Sequence, residues 1–445
     1  MLVSSYVFYG WWDWRFLSLI AISTLVDYWA GRNMARTDEV RKRKLLLLLS
    51  LTLNLGLLGF FKYFNFFIES TAEFLTLFGM RANLPTLRII LPVGISFYTF
   101  QTLSYTIDIY RHQLEPEKSL LRFAVFVAFF PQLVAGPIVR ARLLLPQLRV
   151  DNHFDWNRLQ QGVTLVIWGY FLKVGLADSV AVLVDAVYGQ PRLFFSSALI
   201  TGTVFYAFQI YGDFCGYSSI AIGIARMLGF DFGINFNKPY FAVSFSDFWK
   251  RWHISLSSWL RDYLYIPLGG NRSGKWKTYR NLMLTMLLGG LWHGAAMRFI
   301  IWGGLHGIFL VVQRLSQKPS QWLYERVFIP KIIRKAIAIP LVFALVCITW
   351  IFFRAGNLSE AMLILRKVFR LNEFSLLTLP PKIDVLKGSL LIAFVIVVDW
   401  LDEHYDFFSR LPSKPWLYVS FLSLVLWLTF FFGNFFANAF IYFVF

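Results

Sequence analysis

The chain has 445 residues, 57% hydrophobic, 19% aromatic and only 15% charged, with a mean hydropathy of +0.57; a soluble protein of this length cannot hide that much apolar surface. The formal charge of +18 lies in short basic clusters between apolar runs, which is the pattern of membrane loops and not of a nucleic-acid-binding face. Two cysteines, Cys215 and Cys347, stand far apart in apolar segments with no CxxC pair, which excludes a disulfide framework and makes a thioester on the protein unexpected.

In chain order, the opening MLVSSYVFYGWWDW has neither a basic n-region nor a small-residue cleavage site, so no removable signal peptide is expected. Candidate spans follow at about 15–30, 45–67, 89–110, 120–138, 161–187, 195–224, 280–295, 297–313, 335–353, 388–400 and 416–433. These make an all-α multi-pass membrane protein of roughly eleven helices in a single domain, 1–445. The cluster GRNMARTDEVRKRK at 31–44 carries Arg32, Arg36, Arg41, Lys42, Arg43 and Lys44 against Asp38 and Glu39, and the excess of positive charge places it in the cytoplasm. FFPQLVAGPIVR at 129–140 sets Pro131, Gly136 and Pro137 in apolar context, which predicts a broken or re-entrant helix lined by protein or water. No repeat, Walker loop, GxGxxG or HExxH occurs, so coupling to nucleotide hydrolysis is not expected.

Residues 245–280 differ from their surroundings. Trp249, Trp252, Leu256, Trp259, Leu260 and Tyr263 follow the spacing of an amphipathic helix, with Lys250, Arg251, Ser258, Arg261 and Asp262 on its other face. Ser246 or Asp247 is expected to cap its start, and Pro267, Gly269 and Gly270 its end. The pattern predicts an interfacial helix with tryptophan at head-group depth.

Three of the six histidines, His253, His293 and His306, fall within this helix and the two apolar segments after it. Two readings stand for His293, in LGGLWHGA at 288–295: a core histidine bonded to a carbonyl, or a neutral base that deprotonates a hydroxyl attacking a thioester. Gly289, Gly290 and Gly294 favour close approach by a backbone or a substrate, and a substrate arriving through a narrow passage is the sharper expectation. His253, in RWHIS, is either a polar-face histidine or a second polar group that orients the donor carbonyl or stabilises developing charge. On one uninterrupted helix His306 would lie about 140° from His293, which assigns it to packing. No metal site is expected, since no pair of these histidines has the spacing of a helical ligand pair. Asp27, Asp108, Asp178, Asp213 and Asp399 fall in apolar segments and are read as structural ion-pair or capping groups.

The strings DFWKRWHISLSSWLRDYLYIPLGGNR and LLGGLWHGA resemble the membrane-bound O-acyltransferase (MBOAT) family, in the bacterial branch that serves alginate O-acetylation. LPVGISFYTFQTLSYTIDIYR at 91–111, FFPQLVAGPIVR, FQIYGDFCGYSSIAIGIARMLGF at 208–230, NFNKPY at 235–240 and the terminal FIYFVF extend the likeness over nearly the whole chain. The resemblance implies a ring of tilted helices around a thin centre, with interfacial and re-entrant helices and a catalytic tunnel. It also implies that His293 is the essential catalytic residue, that His253 is a second functional position, and that the motifs spanning 247–295 form the catalytic core. Trp292, Arg251, Trp252, Arg261, Asp262 and Asn271, which stand in these motifs, are the implied substrate-binding residues. The implied reaction takes an acetyl group from a cytoplasmic donor, acetyl-CoA or a carrier, and passes it across the bacterial inner membrane to a periplasmic acetyltransferase partner that modifies an exported polysaccharide. No bound cofactor is implied, and Arg272, Lys275, Lys277 and Arg280 are placed to attract donor phosphates.

The chain departs from the family pattern in three places. Relatives usually carry another apolar stretch before FYGWW, which begins here at Phe8, and they more often have serine at Cys215 and aspartate at Ser219. Three rival readings remain: D-alanyl transfer to a cell-wall polymer, acylation of a lipid by the same fold, and a proton-coupled transporter, the last disfavoured by the lack of visible inverted repeats.

Overall fold

The structure, a computed structural model, describes residues 1–76, 78–80, 86–272, 274–326, 330–370, 382–436 and 440. The motif FIYFVF, apart from Phe440, lies outside them. Every regular element among the described residues is helical, and the chain divides into two compact units, 1–155 with 228–233, and 156–227 with 234–445.

The first unit holds α1 (Leu2–Asp13), α2 (Leu17–Met34), α3 (Val40–Leu58), α4 (Phe64–Thr76), α5 (Ile95–Tyr110), α6 (Leu120–Ala128), α7 (Phe130–Leu133) and α8 (Ala141–Gln147). A π-helical turn at Gly59–Tyr63 joins α3 to α4 in one long apolar helix. The expected break in FFPQLVAGPIVR is present: helix persists only over α7, and the irregular chain from Ala135 to Val139 is buried. Protein groups meet two of the polar groups this break exposes. The Phe130 amide donates to Ser5 Oγ (3.1 Å), and Gln132 Nε2 donates to the Phe126 carbonyl (2.7 Å). Gly94 turns at φ +77° against this segment, where any Cβ would collide with the Leu133 carbonyl oxygen.

Arg43, expected in a solvated basic loop, is buried. Its guanidinium donates to the carbonyls of Met34 (2.6 Å), Ile109 (2.9 Å) and Tyr110 (3.1 Å). These are the last residues of α2 and α5, whose terminal carbonyls have no intrahelical donor and carry the negative ends of two helix dipoles. Beneath this cap, Asn54 Nδ2 donates to both oxygens of buried Asp27 (3.1 and 2.9 Å) and Ser23 Oγ donates to Asn54 Oδ1 (2.6 Å), which ties α2 to α3.

The second unit holds α9 (Trp156–Tyr170), α10 (Asp178–Gly189), α11 (Ser196–Met227), α12 (Phe245–Arg251), α13 (Ile254–Leu260), α14 (Lys275–His293), α15 (Met297–Arg326), α16 (Lys331–Arg354), α17 (Leu358–Arg370), α18 (Lys382–Tyr405), α19 (Phe407–Arg410) and α20 (Pro415–Phe432). A π-helical stretch, Phe171–Ala177, joins α9 to α10 and carries Lys173. This ammonium bridges Asp178 (2.8 Å) and Asp213 (2.6 Å), so both acids are structural ion-pair groups.

Of the eleven candidate spans, five helices among the described residues are by length and composition able to cross a membrane: Val40–Thr76, Trp156–Gly189, Met297–Gln317, Lys331–Arg354 and Pro415–Phe432. The segments at 89–110 and 120–138 fall short because chain breaks consume part of each apolar run. The amphipathic helix at 245–263 is also not continuous. His253 interrupts it in the left-handed conformation (φ 43°, ψ 56°), and the actual N-cap is Ser244, whose Oγ accepts from the Asp247 amide (3.1 Å). Trp252 and Trp259 are buried within the protein. The apolar stripe was read correctly, but it faces neighbouring helices.

Replacing Arg43 by methionine keeps the apolar stem and leaves three carbonyls without their charged donor. It is expected to lower stability by about 3 kcal/mol, measured as the thermal unfolding midpoint of detergent-solubilised protein, while Lys42→Met on the exposed surface leaves the midpoint unchanged within about 1 °C.

Candidate functional site

The site is built on a frame of aromatic rings in the second unit. Trp350 of α16 lies against Trp252 (ring centroids 5.1 Å) and Trp302 (5.9 Å), and Phe353 packs on Trp302 (5.3 Å). Three imidazoles are strung along this frame. His253 contacts Phe214 edge-on (4.6 Å) and lies 6.0 Å from Trp292. His293 packs between Trp292 and Trp302, both at 4.9 Å and nearly perpendicular, with Phe353 at 5.4 Å. His306 touches the same Trp302 (4.8 Å), together with Trp249 (5.0 Å).

His293 is the last residue of α14 and only 3% exposed. His253 is fully buried, and burial pushes its imidazole down to about 3, which keeps it neutral at physiological pH. Its backbone and ring are gripped by Asn235, whose Oδ1 lies 3.2 Å from Nδ1 and also accepts from the Ser255 amide (3.1 Å) and hydroxyl (2.8 Å). Asn235 Nδ2 donates to Ser218 Oγ (3.0 Å).

His306 shows why the single-helix premise fails. The chain breaks at 294–296, so α14 and α15 pack side by side and bring His293 and His306 to the same indole. His306 Nε2 lies 3.1 Å from Thr349 Oγ1, a satisfied buried contact.

The glycines of LGGLWHGA also have a different explanation from the expected substrate passage. A Cβ at Gly290 would collide with the Phe299 carbonyl oxygen and one at Gly303 with the Met286 carbonyl oxygen, while the Phe299 ring occupies the space beside Gly294. What approaches is the α15 backbone and a phenylalanine ring. Gly289 differs, since a Cβ there meets only the tip of Leu260 at 3.2 Å.

The remaining expected residues divide. Trp292 and Trp252 belong to the frame. Arg251 is committed to a network: Nε to Asp247 Oδ1 (3.0 Å), NH1 and NH2 to the two oxygens of Glu403 (3.1 and 3.0 Å), so it ties α12 to α18. Arg261 and Asp262 pair with each other (2.7 Å) near the surface, and Asn271 is exposed. Arg272, Lys275, Lys277 and Arg280 are all exposed. Asn281, which sequence reasoning passed over, holds the IPLGGN turn by donating to the carbonyls of Leu268 and Gly270 (both 3.0 Å). Asn235 and Trp302 were passed over as well. Asn235 stood in the quoted NFNKPY motif, and Trp302 repeats the tryptophan–glycine context of LLGGLWHG on the next helix.

A cavity of about 360 Å³ opens beside Asn235 and is lined also by Tyr211, Ser218, Lys238 and Asp399. Cys215 and Ser219, the two positions that depart from the family pattern, both line it, with Sγ and Oγ 4.0 Å apart.

Residues 12–355 match the MBOAT, membrane-bound O-acyltransferase, family. The chain is 41% identical over 408 residues to the probable alginate O-acetylase AlgI of Pseudomonas aeruginosa, covering 89% of this chain and 75% of that protein. It is 38% identical over 405 residues to the peptidoglycan O-acetyltransferase of Helicobacter pylori, covering 84% and 74%. A teichoic acid D-alanyltransferase of Streptococcus thermophilus matches at 31% over 265 residues, or 55% of this chain and 60% of that protein.

The two neighbouring glycines give a paired test. Gly290→Ala is expected to destabilise by about 1–3 kcal/mol through overpacking against α15, whereas Gly289→Ala stays within about 0.5 kcal/mol of the parent. Thermal unfolding of the two purified variants, read side by side, checks this.

Proposed function

This chain belongs to the membrane-bound O-acyltransferase family and is a multi-pass helical membrane enzyme, and we propose that it moves an acetyl group across the bacterial inner membrane for O-acetylation of an exported, alginate-like polysaccharide. The single observation that carries the catalytic assignment is the placement of His293. It is a buried imidazole at the end of α14, walled by Trp292, Trp302 and Phe353, with His253 6.0 Å from the same Trp292 ring. The preference for acetyl transfer rests on the extent of similarity, which reaches over four fifths of this chain for the O-acetylating relatives and about half for the D-alanyltransferase.

In the proposed reaction His293 acts as general base. An acceptor hydroxyl gives its proton to the imidazole as its oxygen attacks the carbonyl carbon of an acetyl thioester. The C–S bond breaks, the new C–O ester bond forms, and the departing thiolate recovers the proton from the imidazolium. Exclusion of water by the aromatic frame protects the thioester from hydrolysis. Acetyl-CoA is the proposed donor, with its phosphates drawn by Arg272, Lys275, Lys277 and Arg280. The last transfer to polymer falls to a periplasmic acetyltransferase partner.

His293→Gln and His293→Ala are expected to reach the membrane at parental levels and to abolish acetylation of the exported polymer. Retained acetyl ester in a well-expressed variant overturns the assignment. Neutralising Arg272, Lys275, Lys277 and Arg280 together is expected to raise the acetyl-CoA concentration needed for half-maximal transfer about tenfold or more at low ionic strength, with the difference shrinking in added salt. An unchanged requirement removes the phosphate role.

A further inference from the structure

Asn235 makes contacts that fix the protonation of a ring nitrogen. The backbone N–H of Ser255 can only donate, so the amide atom it meets at 3.1 Å must be the oxygen of Asn235. The opposite atom, Nδ2, donates to Ser218 Oγ at 3.0 Å, in agreement with that orientation. His253 Nδ1 faces the same oxygen at 3.2 Å and Ser255 Oγ at 3.4 Å; the Ser255 hydroxyl gives its one proton to the Asn235 oxygen (2.8 Å), so both neighbours of Nδ1 present acceptor atoms. These contacts favour the ring proton on Nδ1, which in the neutral imidazole leaves the lone pair on Nε2.

The same asparagine holds the backbone that presents this ring. Its carbonyl accepts from the Ile254 amide at 2.8 Å, and its side chain accepts from the Ser255 amide, so it grips the chain at the two residues directly after His253. His253 itself sits at φ 43°, ψ 56°, a conformation costing a non-glycine residue about 1 kcal/mol or more unless its neighbours enforce it. A histidine serving only to fill space would not need that conformation, since a continuous helix from Phe245 to Leu260 would bury the same stripe.

We propose that Asn235 is a positioning residue for His253, fixing the orientation of its ring and locking it in the Nδ1–H tautomer. A neutral imidazole so locked has no Nε2 proton with which to hold a donor carbonyl or an oxyanion. The inference rests on the reading of the site as an acyltransferase centre, and its tautomer component is independent of that reading.

The test uses the full chain in membranes. In protein labelled with 15N-histidine, the His253 ring, identified by its loss in His253→Ala, is expected to show a protonated Nδ1 and an unprotonated Nε2. The opposite tautomer in the parent overturns the proposal. Asn235→Leu, which keeps the bulk and removes the acceptor, is expected to release the lock and lower kcat for transfer from radiolabelled acetyl-CoA by about 10²-fold, with KM within about threefold of the parent.

Asn235→Asp guards against a variant that fails to fold, since it keeps an acceptor oxygen. A carboxylate facing Nδ1–H stabilises the imidazolium and raises the histidine pKa, so the His253 ring nitrogens are expected to titrate at higher pH than in the parent, by at least about one unit, in the 15N spectrum. A folded Asn235→Leu with parental kcat, or an Asn235→Asp with an unmoved His253 titration, overturns the positioning role. If His253→Ala itself retains full activity, the reading of His253 as functional falls while the tautomer measurement still decides the lock. No transfer from acetyl-CoA by the parent counts against the donor alone.

Discussion

The close approach of α14 and α15 at Gly290 and Gly303 is the constraint from which the site follows. With no side chain at either position, the two helices come near enough that backbone carbonyls of one occupy the space a Cβ of the other would need. In a bilayer, where lipid tails compete equally for apolar side chains, such contact between small residues is what holds helices together. The approach brings Trp302 against His293 and packs the Phe299 ring beside Gly294, where α14 has ended. Moving α15 outward by the width of a methyl group would open the aromatic wall around the His293 imidazole.

Around that contact the protein spends its few charges on irregular backbone. Lys173 bridges two acids where the α9–α10 helix passes through its π-helical stretch, Arg251 links α12 to Glu403 just before the left-handed turn at His253, and in the other unit Arg43 caps two helix C-termini. Each cation sits near an interruption of regular helix, Arg43 on terminal carbonyls and Lys173 and Arg251 on carboxylates of neighbouring segments. Charges that composition alone assigns to loops and lipid head groups are in part internal fasteners.

Much of the fold class was legible because it depends on composition and run length. Apolar runs marked most of the helices, and the proline-rich break at 129–140 was visible as a break. The left-handed turn at His253 was not, because nothing in RWHIS departs from helical periodicity, and the conformation is imposed from outside by Asn235. Asn281 and Trp302 were missed for a similar reason. Each acts on groups in another segment, a turn carbonyl or an imidazole, and a pattern read along one helix carries no information about that partner.

By itself, then, the sequence determined that this is a helical membrane protein, which family it resembles, and that His293 and His253 are the imidazoles to examine, since these follow from composition and from local strings of residues. Only the tertiary structure decided what the glycines beside His293 are for, that His306 shares an indole with it, and that Asn235 holds the ring and backbone of His253. Those outcomes depend on which atoms of distant segments meet, and a buried hydrogen bond or a missing Cβ takes its meaning from the atom opposite.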